Sequence, residues 1–347
     1  MDTVTRRAFF TTSGAVAAGA VTSARGRQTA SHAALTLACA NYVRFLPIAT
    51  GDVRPHGIDL KWMRGERNEM LRRATEDPAV DGGETSMAQH VQRLDRGDHS
   101  LVAIPIFPLR NFTARDLYTR LGTRIEPGSL TGRRVGIYNW AASGAVWYRH
   151  LLRHLGTDTK QVRWSVGGVD GPATVRLPDP PVSSVAAAPE GATLSGLLKD
   201  GTIDALFAPL PPAGLDPVKG PIVRAVTDFQ AVEERYFAET ACYPPQHVII
   251  LRRAAWERDR SVGRRLLEAF NESEAAFEAL QRQFPYNSPW LIGEVEHAAR
   301  VLGPDYHAHG LDKNRKAVDT FCQAAFDDGL TKRRVTADDF FAEFLNA

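Results

Sequence analysis

The chain has 347 residues, 44% of them hydrophobic and 24% charged, with a formal net charge of +2. That length and apolar content suffice for one large domain or two medium ones. Charge is nearly balanced and no long Lys/Arg block occurs, which argues against nucleic acid and anionic membrane surfaces as partners.

At the N-terminus, "TRRAFF" puts Arg6 and Arg7 ahead of a weakly apolar run of small residues, "SGAVAAGAV". Paired arginines before such a run read as an export address of the twin-arginine type, the route of proteins that fold before they cross. The run is far shorter than the roughly 20 apolar residues of a membrane-spanning helix. Residues 1–33 are therefore expected to be a cleaved leader, with the mature protein in the periplasm and no stable membrane insertion.

The mature chain opens on "ALTLACANY", where Leu35 to Ala40 read as a buried strand of the parallel kind. "GIDLKWM" (57–63) predicts a second strand, and "ERNEMLRRATE" has helical spacing. "AVDGGETSMAQHVQRLDRG" predicts a short strand, a loop holding Glu84 and Ser86, and a helix from about Ser86. A strand follows at 99–107. This alternation predicts an open, mostly parallel sheet with helices on both faces. A second unit reads as a strand at 133–138, a helix at 143–156 with a Ser-Gly start and a glycine stop, and a strand in "QVRWSVGG". After a Pro-rich surface excursion come a helix and a strand at 203–209, and 244–259 returns in a strand. Helices fill the rest. Crossings near 107–118 and 244–252 predict two lobes on a hinge: 34–115 plus 250–347, and 116–249. A small ligand would sit in the cleft between them.

Cys39, Cys242 and Cys322 are too few for a disulfide framework; one bridge is possible, which leaves the third thiol free. No CxxC, HExxH or P-loop occurs. His307 and His309 form a metal-like pair, but a zinc site takes three or four ligands, so no metal is expected.

Seven blocks in order carry a resemblance: "LACANYVR", "GETSMAQHVQRLDRGD", "VAIPIFPLRNF", "RRVGIYNWAASGAVWYRHLL", "PEGATLSGLLKDGTIDAL", "YPPQHVIILRR" and "GLDKNRKAVDTF". From about Leu35 onward the chain resembles the 4,5-dihydroxyphthalate decarboxylase family. The resemblance implies an α/β, two-lobed, type II periplasmic-binding-protein-like fold with an interlobe cleft. It also implies a decarboxylase that uses no cofactor, acting on a small anionic, aromatic ligand. Export keeps a second reading open: a solute receptor that closes on such a ligand and hands it to a transporter permease.

Aromatic diacids need cationic clamps. Arg44 and Arg110 follow strands at their carboxyl ends, the cleft side of an α/β sheet, and guanidinium binds carboxylate bidentately. A surface ion pair is the alternative for each. Ser143 and Gly144 open a helix whose free N–H groups suit an anion, or Ser143 simply caps. A carboxyl such as Glu84 in a dry cleft favours its acid form, and Ser86 stands beside it. His247, on the returning crossing, is of a residue type suited to general-acid work or to hydrogen-bond donation, or is a buried structural histidine. Either Glu84 or His247 is the expected proton donor. Tyr42 and Trp147, with Phe112 and Trp140, are candidates to stack on a ring, or are core.

Overall fold

The structure, a computed structural model, describes residues 33–175, 177–178, 182–216, 218–283 and 288–347. The leader expected at 1–33 lies outside these residues except for Ala33, which starts the first strand.

The chain runs β1 (Ala33–Ala40), α1 (Leu46–Thr50), β2 (Ile58–Gly65), α2 (Arg67–Glu76), β3 (Gly82–Ser86), α3 (Met87–Asp95) and β4 (Leu101–Ile104). It continues through β5 (Leu117–Arg120), β6 (Arg134–Ile137), α4 (Ser143–His154), β7 (Arg163–Val166), β8 (Val185–Ala187), α5 (Leu194–Asp200), β9 (Ala205–Phe207) and β10 (Ile222–Arg224). Then come α6 (Phe229–Thr240), β11 (His247–Arg252), α7 (Arg253–Arg258), α8 (Val262–Gln283), α9 (Leu291–Leu302), α10 (Leu311–Asp327), α11 (Ala337–Phe340) and α12 (Ala342–Leu345).

The strands form two sheets. One has five strands in the order β2-β1-β3-β11-β4, the other six in the order β10-β5-β9-β6-β7-β8. Each is mostly parallel and is made mixed by a single reversed strand, β11 in the first and β5 in the second. β1 pairs parallel with β2 and β3, but β11 lies antiparallel between β3 and β4. In the second sheet β5 runs antiparallel to β9 and β10. The antiparallel members β11 and β5 are the strands on which the chain enters a sheet after crossing from the other. Such an entry reverses strand direction, which periodicity does not reveal.

β3 is the second departure from the sequence reading. Its residues Gly82–Ser86 include Glu84 and Ser86, which the sequence reading puts in a loop between a strand and a helix. The glycines instead permit close approach of three backbones. A Cβ on Gly83, whose φ is +146°, would lie 1.9 Å from the Ala38 carbonyl oxygen; one on Gly82 would lie 2.1 Å from that of Ile250. Glu84 and Ser86 are thus held in a central strand, both buried. The excursion before α5 also contributes a strand, β8, which pairs with β7.

Packing follows the strand and helix periods. Leu35, Leu37 and Cys39 of β1 pack with Phe270 and Leu266 of α8 on one face of the first sheet. Ala38 points the other way, into a core shared by α3, α4 and α10. In α10, Leu311, Asn314, Ala317, Val318, Phe321, Cys322 and Ala325 are buried at the three-and-four spacing of one helix face. The two connections pair with each other: Arg110 bridges Pro245, and the Gln246 N–H donates to the Leu109 carbonyl at 2.8 Å.

Candidate active site

β3 lies between β1 and β11, so its side chains meet the ends of both. Glu84 is fully buried and takes four donors: the Ala40 N–H at 2.9 Å, the Tyr42 hydroxyl at 2.5 Å, the Cys39 thiol at 3.4 Å, and His247 Nδ1. Burial by itself would raise the Glu84 pKa. The charge of His247 and the hydrogen bonds from His247, Tyr42 and Ala40 outweigh it, and the pKa falls below the ordinary value of 4.5. This corrects the expectation of a carboxylic acid in a dry cleft. The cleft is dry at this point, but it is also filled with donors, so the carboxylate form is favoured and Glu84 has no proton to give. Burial first, then the neighbouring Glu84, pushes the Cys39 thiol well up, so it stays neutral.

His247 is the partner with a free valence. The carboxylate occupies its Nδ1, while Nε2 has no hydrogen-bond partner among the described residues. A carboxylate on one ring nitrogen fixes the ring's orientation and leaves the other nitrogen to a ligand.

Two helix N-termini meet beside this pair. Ser86 is the N-cap of α3 but makes no capping bond with its own hydroxyl. Ser143, the first residue of α4, supplies it instead: its Oγ accepts from the Ala88 N–H at 3.0 Å and lies 2.7 Å from Ser86 Oγ. Ser143 therefore caps a helix, but the one packed against the other sheet. α4 has no side-chain cap, and Ser143, Gly144 and Ala145 present N–H groups without intrahelical acceptors. Gly144 keeps this end narrow: a Cβ there would lie 3.3 Å from Gln246 Oε1 and 3.4 Å from the Tyr138 hydroxyl.

The expected arginine clamp is not formed by Arg44 or Arg110. Arg44, its guanidinium 5.9 Å from the Tyr42 ring centre, is buried against Glu274 at 2.5 Å, the Phe107 carbonyl at 2.7 Å and the Pro108 carbonyl. Arg110 donates to Asn314 Oδ1 at 2.6 Å and to the carbonyls of Tyr243 and Ala308, with its guanidinium 4.8 Å from the Phe107 ring centre. Burial, then the charge of Arg44, lowers its pKa to about 10. The reason is topological. Both residues follow strand ends, but the segments that hold them fold under the connections between the sheets, where bare carbonyls need donors.

Trp147 is not a stacking surface either. It is core, packed on Phe321, and its indole N–H donates to the Pro245 carbonyl at 2.6 Å. Trp140 is likewise buried, and Phe112 packs on Tyr236 and Tyr243. Among the ring candidates Tyr42 alone reaches the Glu84 cluster. His307 and His309 line the Arg44–Glu274 cluster, and no group of three or more His, Cys, Asp or Glu among the described residues is arranged for a metal ion. All three cysteines are buried and free, so the possible bridge is absent.

The sequence reading missed Tyr138 and Gln246, whose side chains lie beside Gly144 at the start of α4. Tyr138 follows β6 directly and Gln246 immediately precedes β11.

The fold and this pair of facing helix ends define a two-lobed binding-protein architecture with a buried polar centre. In fold the chain is similar to the periplasmic aliphatic sulphonate binding protein SsuA from Escherichia coli, with a TM-score of 0.50 at 14% identity, over 88% of this chain and 91% of that one. No family model matches the chain. In sequence it is similar to a Comamonas testosteroni protein named 4,5-dihydroxyphthalate decarboxylase, 28% identical over 317 residues, which are 88% of this chain and 96% of the relative. A Pseudomonas putida protein of the same name is 32% identical over 184 residues, 52% of this chain and 71% of the relative. The chain belongs to the 4,5-dihydroxyphthalate decarboxylase family.

Proposed function

We propose that this protein decarboxylates a hydroxylated phthalate, and that His247 is its proton donor. Membership of a family whose relatives are named for 4,5-dihydroxyphthalate supports the substrate class. The observation that carries the site is the His247–Glu84 pair, with Nδ1 on a buried carboxylate and Nε2 unpartnered. The likeness to a sulphonate-binding protein extends to the fold alone.

Direct loss of carbon dioxide from an arene would leave an aryl anion. Protonation of the carboxylated ring carbon by His247 Nε2–H avoids that. The resulting cation is stabilised by the hydroxyl para to that carbon. The bond to the carboxylate then breaks, its electron pair restores the aromatic ring, and carbon dioxide leaves; solvent returns a proton to His247. The ring is its own electron source, so the chemistry asks for no electron-sink cofactor. Glu84 stays ionised and orients the imidazole, as a positioning residue. Tyr42 completes the carboxylate's hydrogen bonds. The N–H groups at the start of α4 suit an oxygen of the bound acid.

The test is to incubate purified protein with a panel of hydroxylated phthalates and benzoates, reading product and thermal shift together. The expected result is carbon dioxide release from a diacid bearing a para hydroxyl. A strong thermal shift with no product from any compound would sink the enzyme reading in favour of a receptor. Export by the twin-arginine route is also proposed, on "TRRAFF". Replacing Arg6 and Arg7 by Lys should hold the protein in the cytoplasm, and undiminished periplasmic accumulation would refute it. The assignment of 34–115 plus 250–347 and of 116–249 to separate lobes is likewise a proposal, which limited proteolysis at the connections would test.

A further inference from the structure

The residue next to the proton donor has a polar atom to spare. Gln246 immediately precedes His247 and is only 8% exposed. Its Nε2 donates to the Asn111 carbonyl at 3.2 Å, while nothing among the described residues donates to its Oε1. The orientation of the amide follows from chemistry. The Asn111 carbonyl can only accept, so the nitrogen faces it and the oxygen faces the other way. Oε1 is not enclosed, so a group entering from the cleft can reach it. A polar atom held in a largely buried side chain without a partner is costly, and a ligand that supplies the partner removes that cost.

The place that Oε1 faces is the start of α4. A Cβ on Gly144 would lie 3.3 Å from Gln246 Oε1 and 3.4 Å from the Tyr138 hydroxyl, and glycine leaves the approach to both open. Gly144 is not among the residues of positive φ, so its backbone could carry a side chain and the room is what glycine provides. No hydrogen bond joins the Tyr138 hydroxyl to Gln246, which leaves the acceptor to a ligand. The same place borders the proton donor. His247 is the partner of Ser86 in the β3–β11 register, and Ser86 Oγ lies 2.7 Å from the Oγ of Ser143, the neighbour of Gly144.

An amide oxygen accepts and does not donate. It repels a carboxylate oxygen and is matched by an O–H, and on an ionised hydroxyphthalate only the ring hydroxyls carry one. We propose that Gln246 Oε1 accepts a hydrogen bond from a ring hydroxyl of the bound acid, and thereby makes the site selective for hydroxylated rings; this rests on the decarboxylase reading above. The start of α4 offers donors to the acid's oxygens, and Gln246 offers an acceptor to its hydroxyl proton. A ring without the hydroxyl covers Oε1 and leaves it unpaired, so it is rejected by more than the strength of the missing bond. The selection matches the chemistry, because the hydroxyl is also the ring's electron source.

The experiment uses the decarboxylation product, 3,4-dihydroxybenzoate, which keeps both hydroxyls and is not consumed. Calorimetry compares it with 3,4-difluorobenzoate, close in size and without a donor, on the parent protein and on Gln246→Met. The parent should prefer the dihydroxy compound by about five- to hundredfold, the loss for a buried acceptor left unpaired. In Gln246→Met the preference should shrink to within about twofold. The ratio is taken within one protein, so losing the Asn111 contact, which weakens both ligands alike, does not move it. A preference kept in the variant overturns the proposal. So does a parent that binds both compounds equally, or neither, whatever the variant does. If melting shows that Gln246→Met does not fold, Gln246→Lys keeps a donor for the Asn111 carbonyl, has no acceptor, and is judged by the same ratio. If the parent releases no carbon dioxide from any hydroxylated phthalate, the decarboxylase reading fails by itself, and the ratio still decides Gln246.

Discussion

Two buried ionic clusters lie side by side under the carboxyl end of β1, and they differ in where their unpartnered atoms lie. Around Arg44, Glu274 and Arg110, most of the donors are bound within the chain, to carboxylate, carbonyls and the Asn314 amide, while Arg110 Nε, Glu274 Oε2 and His309 Nε2 are enclosed without a partner. Around Glu84 and His247, the carboxylate is saturated, and the imidazole nitrogen left over is not enclosed. Both clusters have charge, burial and shifted proton affinities. Their difference teaches that burial and charge identify a site poorly. What separates scaffold from chemistry is whether a functional atom left over can be reached.

If the first cluster is scaffold, breaking it should damage the fold. Arg44→Ala leaves Glu274 buried beside an empty place, and removing one partner of a buried pair costs about 3–5 kcal/mol. The urea midpoint should fall accordingly, and replacing both residues by apolar ones, Arg44→Met with Glu274→Leu, should recover most of the loss. A single variant as stable as the parent would erase the distinction between the clusters.

The two carboxylates should also give opposite pH responses. Burial raises Glu274 to about 7, opposed by the charge of Arg44. The native state then holds a proton that the unfolded chain has released, so stability declines as pH rises from about 4.5 toward 7. The Glu274→Gln variant should lose that slope. Glu84 is lowered, so its contribution is present above 4.5 and is lost as pH falls through its native value. Urea midpoints from pH 7 to well below 4.5, measured on the parent and on Glu274→Gln, check both signs. A parent midpoint that rises between pH 5 and 7 with a slope removed by Glu274→Gln would contradict the first.

A smaller effect is expected at the junction of the helix ends. Ser143→Ala removes the hydroxyl that caps α3 and should cost about 0.5–2 kcal/mol. A larger loss of ligand affinity than of stability would show that the α4 end also serves the bound acid.

Much of the fold was legible in the sequence, because strands such as Leu35–Ala40 and the helix from Ser143 carry strong apolar periods and start signals. The family resemblance was legible for the same reason: its blocks are these elements and their ends. What misled was local. Glu84 and Ser86 were placed in a loop, whereas the glycines before them allow the close backbone packing of a central strand. Trp147 looked available because an aromatic at a helix start has the same letters whether it faces a ligand or the Pro245 carbonyl. Arg44 and Arg110 were credited because strand ends point at clefts, but so do the undersides of the connections. His247 was found because it sits on a crossing. Its pairing with Glu84 was not, since the two are 163 residues apart and meet only through the β3–β11 register.

The most direct measurement is turnover of 4,5-dihydroxyphthalate by the His247→Gln variant, with binding of the same compound followed by calorimetry. Loss of a positioned proton donor should cut kcat by about 10²–10⁴-fold while affinity stays close to that of the parent. Turnover equal to the parent's would contradict the account at its centre.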